Sequence, residues 1–87
     1  MINVFLTREY DTLIGSVDTV REANILVSKY IEENWEPKGF HSYYTRMAFH
    51  DDQRTVWQDV GSHFQFFELR FDTVEEYMRA KGEVLNA

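Results

Sequence analysis

Residues Thr55–Phe71, TVWQDVGSHFQFFELRF, decide the fold. Strand-forming residues flank Gly61-Ser62, and a two-residue loop there needs the positive φ that glycine tolerates. The stretch predicts a β-hairpin of Arg54 to Val60 and His63 to Phe71, holding five of the chain's fourteen aromatics. Pairing Val60 with His63 sets Val56 opposite Phe67, Trp57 opposite Phe66 and Asp59 opposite Phe64. A four-residue turn at His50–Gln53 adds a strand over His41–Phe49. Met47 then meets Val56, Arg46 meets Trp57, and Tyr44 meets Asp59.

Paired residues share a face, so these three strands sort into two surfaces. One collects Tyr43, Met47, Phe49, Val56, Val60, Phe67, Leu69 and Phe71 and is the expected core face. Thr45, Gln58 and Gln65 interrupt it and are expected to satisfy one another. The other carries Tyr44, Arg46, Trp57, Asp59, Phe64, Phe66, Glu68 and Arg70. Aromatics interleaved with charge are the composition of interface hot spots. The candidate protein-binding residues are therefore Tyr44, Arg46, Trp57, Asp59, Phe64 and Phe66. Arg46 over Trp57 would form a cation–π pair of about 0.5–1 kcal/mol at an exposed site. Three occupants of this face remain open: a partner, the N-terminal hairpin, or a second copy of the chain. A one-residue slip would exchange the faces.

Outward from this stretch, Ile2 to Thr7 alternates as a strand, and Thr12 to Val17 pairs with it as a hairpin. Asp18 is the expected N-cap of a helix reaching about Asn34, with Val20, Ala23, Val27, Tyr30 and Ile31 as its apolar stripe. Pro37 and Gly39 end it. Asp72 is the expected cap of a second helix, Thr73 to about Lys81, closed by Gly82. Val17-Asp18-Thr19-Val20-Arg21-Glu22 and Phe71-Asp72-Thr73-Val74-Glu75-Glu76 echo each other. Duplication would give that echo, and so would shared capping chemistry at strand-to-helix junctions. The fold class is α+β, ordered ββαβββα. It is a mostly antiparallel sheet with two helices packed on one face, in a single compact domain over 1–87.

Eighty-seven residues, 44% of them apolar, suffice for one core. The absence of cysteine excludes disulfides, thiolate zinc sites and thiol catalysis, and it fits a reducing cytoplasm. The apolar start, Met1 to Thr7, is too short for a signal peptide or a membrane span. Fifteen acidic against nine scattered basic residues, net −6, disfavour direct nucleic-acid binding. His41, His50 and His63 fall at different ends of the sheet, so no metal site and no cofactor is expected. The four glycines form no phosphate-binding loop, and Asp59, Ser62 and His63 sit in no nucleophile-elbow pattern. The chain is expected not to be an enzyme.

Glu32, Glu33 and Glu36 crowd the C-terminal end of the first helix, where the helix dipole disfavours anions. In size, acidity and lack of catalytic motifs the chain is similar in kind to short accessory proteins of phages and mobile elements. These include inhibitors of host defence nucleases of the anti-CRISPR and anti-restriction type. The likeness carries no sequence motif. It implies an acidic surface, with Glu32, Glu33 and Glu36, that mimics nucleic acid and blocks a basic enzyme. Two other expectations stand beside it: a homodimer through Trp57, Phe64 and Phe66, and a small-ligand pocket at Tyr44, Trp57 and Asp59.

Overall fold

The computed structural model describes residues 1–7, 10–34, 45–60 and 62–85, with the backbone alone at residues 45, 60, 62–66 and 85. The elements are β1 (Ile2–Thr7), β2 (Asp11–Val17), α1 (Val20–Asn34), β3 (Thr45–Phe49), β4 (Thr55–Val60), β5 (Ser62–Phe71) and α2 (Val74–Leu85). The ββαβββα order is the expected one. All five strands join one antiparallel sheet in the order β2-β1-β5-β4-β3. The N-terminal hairpin thus extends the sheet sideways and does not lie over its face. Tyr43, Tyr44, Glu36, Pro37, Gly39 and His41 lie outside the described residues.

Alternation decides what β1 buries: Ile2, Val4 and Leu6 point into the core, while Asn3, Phe5 and Thr7 point away. On β2 the register shifts between Val4 and Phe5, so that Val4 pairs with Gly15 and Phe5 with Leu13. The residue left over, Ile14, packs against the core. Gly15 lies under α1, where a Cβ would come 2.6 Å from a Leu26 methyl.

Both hairpin registers differ from expectation by two residues. Trp57 stands opposite Glu68, not Phe66, and opposite Ala48, not Arg46. In β3–β4 the cause is Asp52. Its Oδ1 accepts the Arg54 and Thr55 backbone N–H groups, each at 2.9 Å, and its Oδ2 accepts the Thr55 hydroxyl at 2.6 Å. That cap moves the loop one residue on, the His50 N–H donates to Thr55 O at 3.0 Å, and Gln53 takes a φ of 58°. In β4–β5, Val60 pairs with Ser62 but Asp59 pairs with Phe66, so residues 63–65 bulge out of the ladder. A slip of two preserves every side-chain direction, and the expected core face survives. Val56, Phe67, Leu69 and Phe71 are buried, with Met47 and Phe49 packed against them.

The side chains of Thr45 and Gln65, expected to satisfy Gln58 across the strands, lie outside the described ones; Gln58 is only 2% exposed. Its Nε2 donates to Asn24 Oδ1 of α1 at 2.9 Å. The α1 stripe Val20, Ala23, Val27 and Ile31 is buried on this face, and Tyr30 meets Phe67 edge-on at 5.8 Å. From α2, Tyr77 meets Phe71 and Phe49 edge-on and donates its hydroxyl to His50 O at 2.6 Å. Burial, with Asp52 and Asp51 nearby, raises the Tyr77 phenol above its ordinary value and keeps it a donor.

The helix caps are one residue beyond those expected. Thr19 and Thr73 are the N-caps, not Asp18 and Asp72. Their Oγ1 atoms accept the Glu22 and Glu76 N–H groups at 3.1 and 3.2 Å and donate to the same glutamates' carboxylates. The short hydroxyl reaches the third residue's amide and offers that carboxylate a proton, which a second carboxylate could not. Nor does α2 stop at Gly82: Tyr77, Ala80 and Val84 continue its apolar stripe into the core. Their burial outweighs the roughly 1 kcal/mol that an internal glycine costs.

The Asp52 turn makes a testable prediction. Its three accepted hydrogen bonds hold the carboxyl below its ordinary value of 3.8, the Thr55 hydroxyl contributing most. A depressed folded-state pKa stabilises above the unfolded value and ceases to do so as pH falls through the folded one. Asp52→Ala should melt roughly 5 °C lower than wild type at neutral pH. The gap should close as pH drops below 3.8, read by thermal denaturation across a pH series.

Candidate functional site

The sheet face away from the helices is built from rows of cross-strand neighbours. One row runs Leu13, Phe5, Glu68, Trp57, Ala48 across all five strands. The next runs Asp11, Thr7, Phe66, Asp59, Arg46. Both helices pack on the opposite side, so no described element lies over this face. Trp57 is 48% exposed and Leu13 is 55% exposed. At one side of Trp57 the His50 ring sits 4.2 Å away, centroid to centroid, at 61°.

Charge on this face is organised in pairs. Arg70 donates to Asp11 at 2.5 Å and to Glu68 at 2.7 Å, and its guanidinium lies 4.1 Å from the Phe5 ring centroid. Arg46 donates to Asp59 Oδ2 at 2.6 Å. The register places Arg46 beside that carboxylate, where the sequence had it opposite Trp57. Asp59 is 8% exposed, and its other oxygen, Oδ1, is buried without a hydrogen-bond partner. Arg46, Met47, Ala48, Trp57 and Asp59 together line a depression of about 260 Å³.

The structure therefore brings Arg46, Trp57 and Asp59 together. Phe66 is in the same ladder by its backbone, Phe64 lies in the bulge, and Tyr44 lies outside the described residues. Glu32 and Glu33 are exposed in the last turn of α1, on the helix side of the sheet, while Glu36 lies outside the described residues. The aromatic and acidic candidates belong to different surfaces. Glu32 borders a groove of about 730 Å³ between α1, Met47 and Val84, where Arg21 and Lys29 share its rim.

The sequence reading missed Phe5 and Leu13 as members of the sheet face. The outward alternation of Asn3, Phe5 and Thr7 was visible, but nothing in it said that β1 pairs with β5. Among the described residues no three His, Asp or Glu side chains cluster as metal ligands, and no helix is long and apolar enough to cross a membrane. The chain matches no known protein-family description, curated protein or solved structure.

The Arg46–Asp59 pair predicts an asymmetry. Arg46→Ala strips the one ion pair seen among the described residues from a carboxylate whose side chain is 11% exposed. It should lower unfolding free energy by roughly 1–3 kcal/mol, while the double variant Arg46→Ala/Asp59→Ala should lose less than Arg46→Ala alone. Urea denaturation of the three proteins measures the difference.

Proposed function

We propose that this chain is a small, acidic, non-enzymatic module that binds a protein partner through its open sheet face. The observation that carries this reading is Trp57, nearly half exposed on β4, one strand in from the β3 edge of a five-stranded face that no described element covers. An exposed indole in one row with Phe5 and Leu13, set among paired charges, has the make-up of an interface with apolar positions and a polar rim. The net charge of −6 favours a basic partner. A host nucleic-acid-processing or defence enzyme is the finer proposal, inhibited in the anti-CRISPR or anti-restriction manner within the cytoplasm. The surface that meets it is the sheet face, with Glu32 and Glu33 adding long-range attraction from the far side.

Immobilised wild-type protein and two variants, exposed to lysate of the source cells, test this. A partner retained by wild type should be lost by Trp57→Ala, with affinity at least about tenfold weaker. Glu32→Lys/Glu33→Lys should keep it, with a slower association rate at low salt. A partner that Trp57→Ala keeps and the charge reversal loses would replace the sheet-face reading with acidic mimicry of nucleic acid. A wild-type dimer in ultracentrifugation that Trp57→Ala dissociates would make a second copy the partner.

A further inference from the structure

Resting on the sheet-face reading above, we infer that His50 makes that face a proton-operated catch. Its neutral ring completes an aromatic platform with Trp57 that holds the partner, and protonation swings the ring away and releases it. The two rings lie 4.2 Å apart, centroid to centroid, at 61°. His50 Nε2 is buried and has no hydrogen-bond partner among the described residues. Imidazole is the side chain that gains its proton as pH falls from about 8 to 5.

The backbone of His50 is pinned, so the response to that proton falls on the side chain. His50 O accepts the Tyr77 hydroxyl at 2.6 Å and the Gln53 N–H at 3.3 Å, and the His50 N–H donates to Thr55 O at 3.0 Å. The residue is thereby tied to α2, to its own turn and to β4, and rotation of the ring is the motion left to it. A neutral imidazole can leave Nε2 as a bare acceptor beside the indole, offset by the ring-to-ring contact. The cation carries an N–H on both nitrogens, so it puts a charged donor at Nε2 with no acceptor. Burying such a donor unpaired costs more than burying a neutral one, and more than an exposed indole returns by attracting a cation. Water satisfies both N–H groups once the ring is out, and protonation therefore favours the outward rotamer.

The charged and titratable neighbours agree with this direction. Asp51 and Asp52 are exposed in the same turn and attract an outward imidazolium. Asp52 is held below its ordinary 3.8 by its hydrogen bonds, so it stays ionised throughout the range. The Tyr77 phenol of α2, raised above its ordinary value, keeps its proton. On β5, across from Thr55 and Trp57, Arg70 and Glu68 hold each other at 2.7 Å and face the ring as a balanced pair. Release then follows from two changes of the same sign. The platform loses one of its two rings, and a positive charge arises beside Trp57, where the proposed partner is itself basic.

Nuclear magnetic resonance spectra of the full chain across this pH range test the inference. At neutral pH the His50 ring protons should be shielded by the indole and show cross-relaxation with it. Both signs should vanish in step with His50 protonation, and the Trp57 indole signal should move with the same midpoint. In His50→Gln the indole signal should stay flat. Immobilised wild type should hold the captured partner at least about tenfold more weakly at about pH 5.5 than at about pH 7.5. His50→Phe, which keeps a ring beside Trp57 with no proton to gain, should hold it equally at both, and His50→Gln should hold it weakly at both. Ring-to-ring cross-relaxation that persists after His50 is protonated overturns the inference. So does an indole signal that moves in His50→Gln as in wild type, or equal pH dependence of binding in wild type and His50→Phe. Ring departure in the free chain, with a captured partner that Trp57→Ala retains, overturns the sheet-face reading and not the motion of the ring.

Discussion

The pairing of β1 with β5, Ile2 with Phe71 through Thr7 with Phe66, is the contact on which the rest depends. Without it the chain is a two-stranded hairpin with a helix and a three-stranded sheet with a helix. A two-stranded hairpin is marginal alone in water. The pairing sets Ile2, Val4 and Leu6 beside Phe67, Leu69 and Phe71 on one buried surface. Each such side chain contributes about 1.5–3 kcal/mol when fully buried, and closing the long intervening loop costs little more than closing a short one. The pairing also makes β2 and β5 flank β1 and run in the same direction, so that both following helices leave from one end of the sheet. Both return across the same face, and no described element covers the other.

An open face of five strands carries a hazard, because exposed apolar rows invite unwanted association. The protein answers with charge placed among the aromatics. Arg70 holds Asp11 and Glu68 while lying against the Phe5 ring, which covers part of one aromatic with a guanidinium. Arg46 holds Asp59 near the β3 edge. Trp57 sits between these two systems, with Glu68 on one side and Ala48 on the other. The exposed indole is thus guarded by charge on both sides, which favours a specific partner over indiscriminate contact.

The face assignment was legible from sequence because it depends only on a period of two. Val56, Phe67, Leu69 and Phe71 fall inside, and Trp57 outside, for any register error that is even. The registers themselves were not legible, because they depend on turn chemistry. The capping of Arg54 and Thr55 by Asp52 and the bulge after Asp59 each move the pairing by two, and neither follows from glycine positions. Strand order was hidden for a different reason: β1 has the same alternation whether it sits at an edge or between β2 and β5. That is why Phe5 and Leu13 were missed. Within the candidate site, Trp57, Arg46 and Asp59 were grouped correctly by their shared face. Glu32 and Glu33 were separated from them only by the helices' choice of side.

The echoed junctions explain that choice. Val17 and Phe71, the residues before each Asp-Thr-Val, are both paired with Ile2, one on each side of β1. The two helices therefore start at the same height of the sheet, and each needs its first-turn amides satisfied there. Thr19 with Glu22 and Thr73 with Glu76 supply the same reciprocal cap. Asn3 ties the junctions together, accepting from Ser16 at 2.7 Å and donating to Asp72 at 3.0 Å. Each helix follows an antiparallel strand pair, β1–β2 before α1 and β4–β5 before α2, so a strand–strand–helix unit stands twice in the order; the echo itself needs no more than the shared position. Equal position in one sheet demands equal capping chemistry, and that demand accounts for the echo. Two helices capped at the same level beside β1 are held to the same side. The exposure of Trp57 on the other side is the consequence.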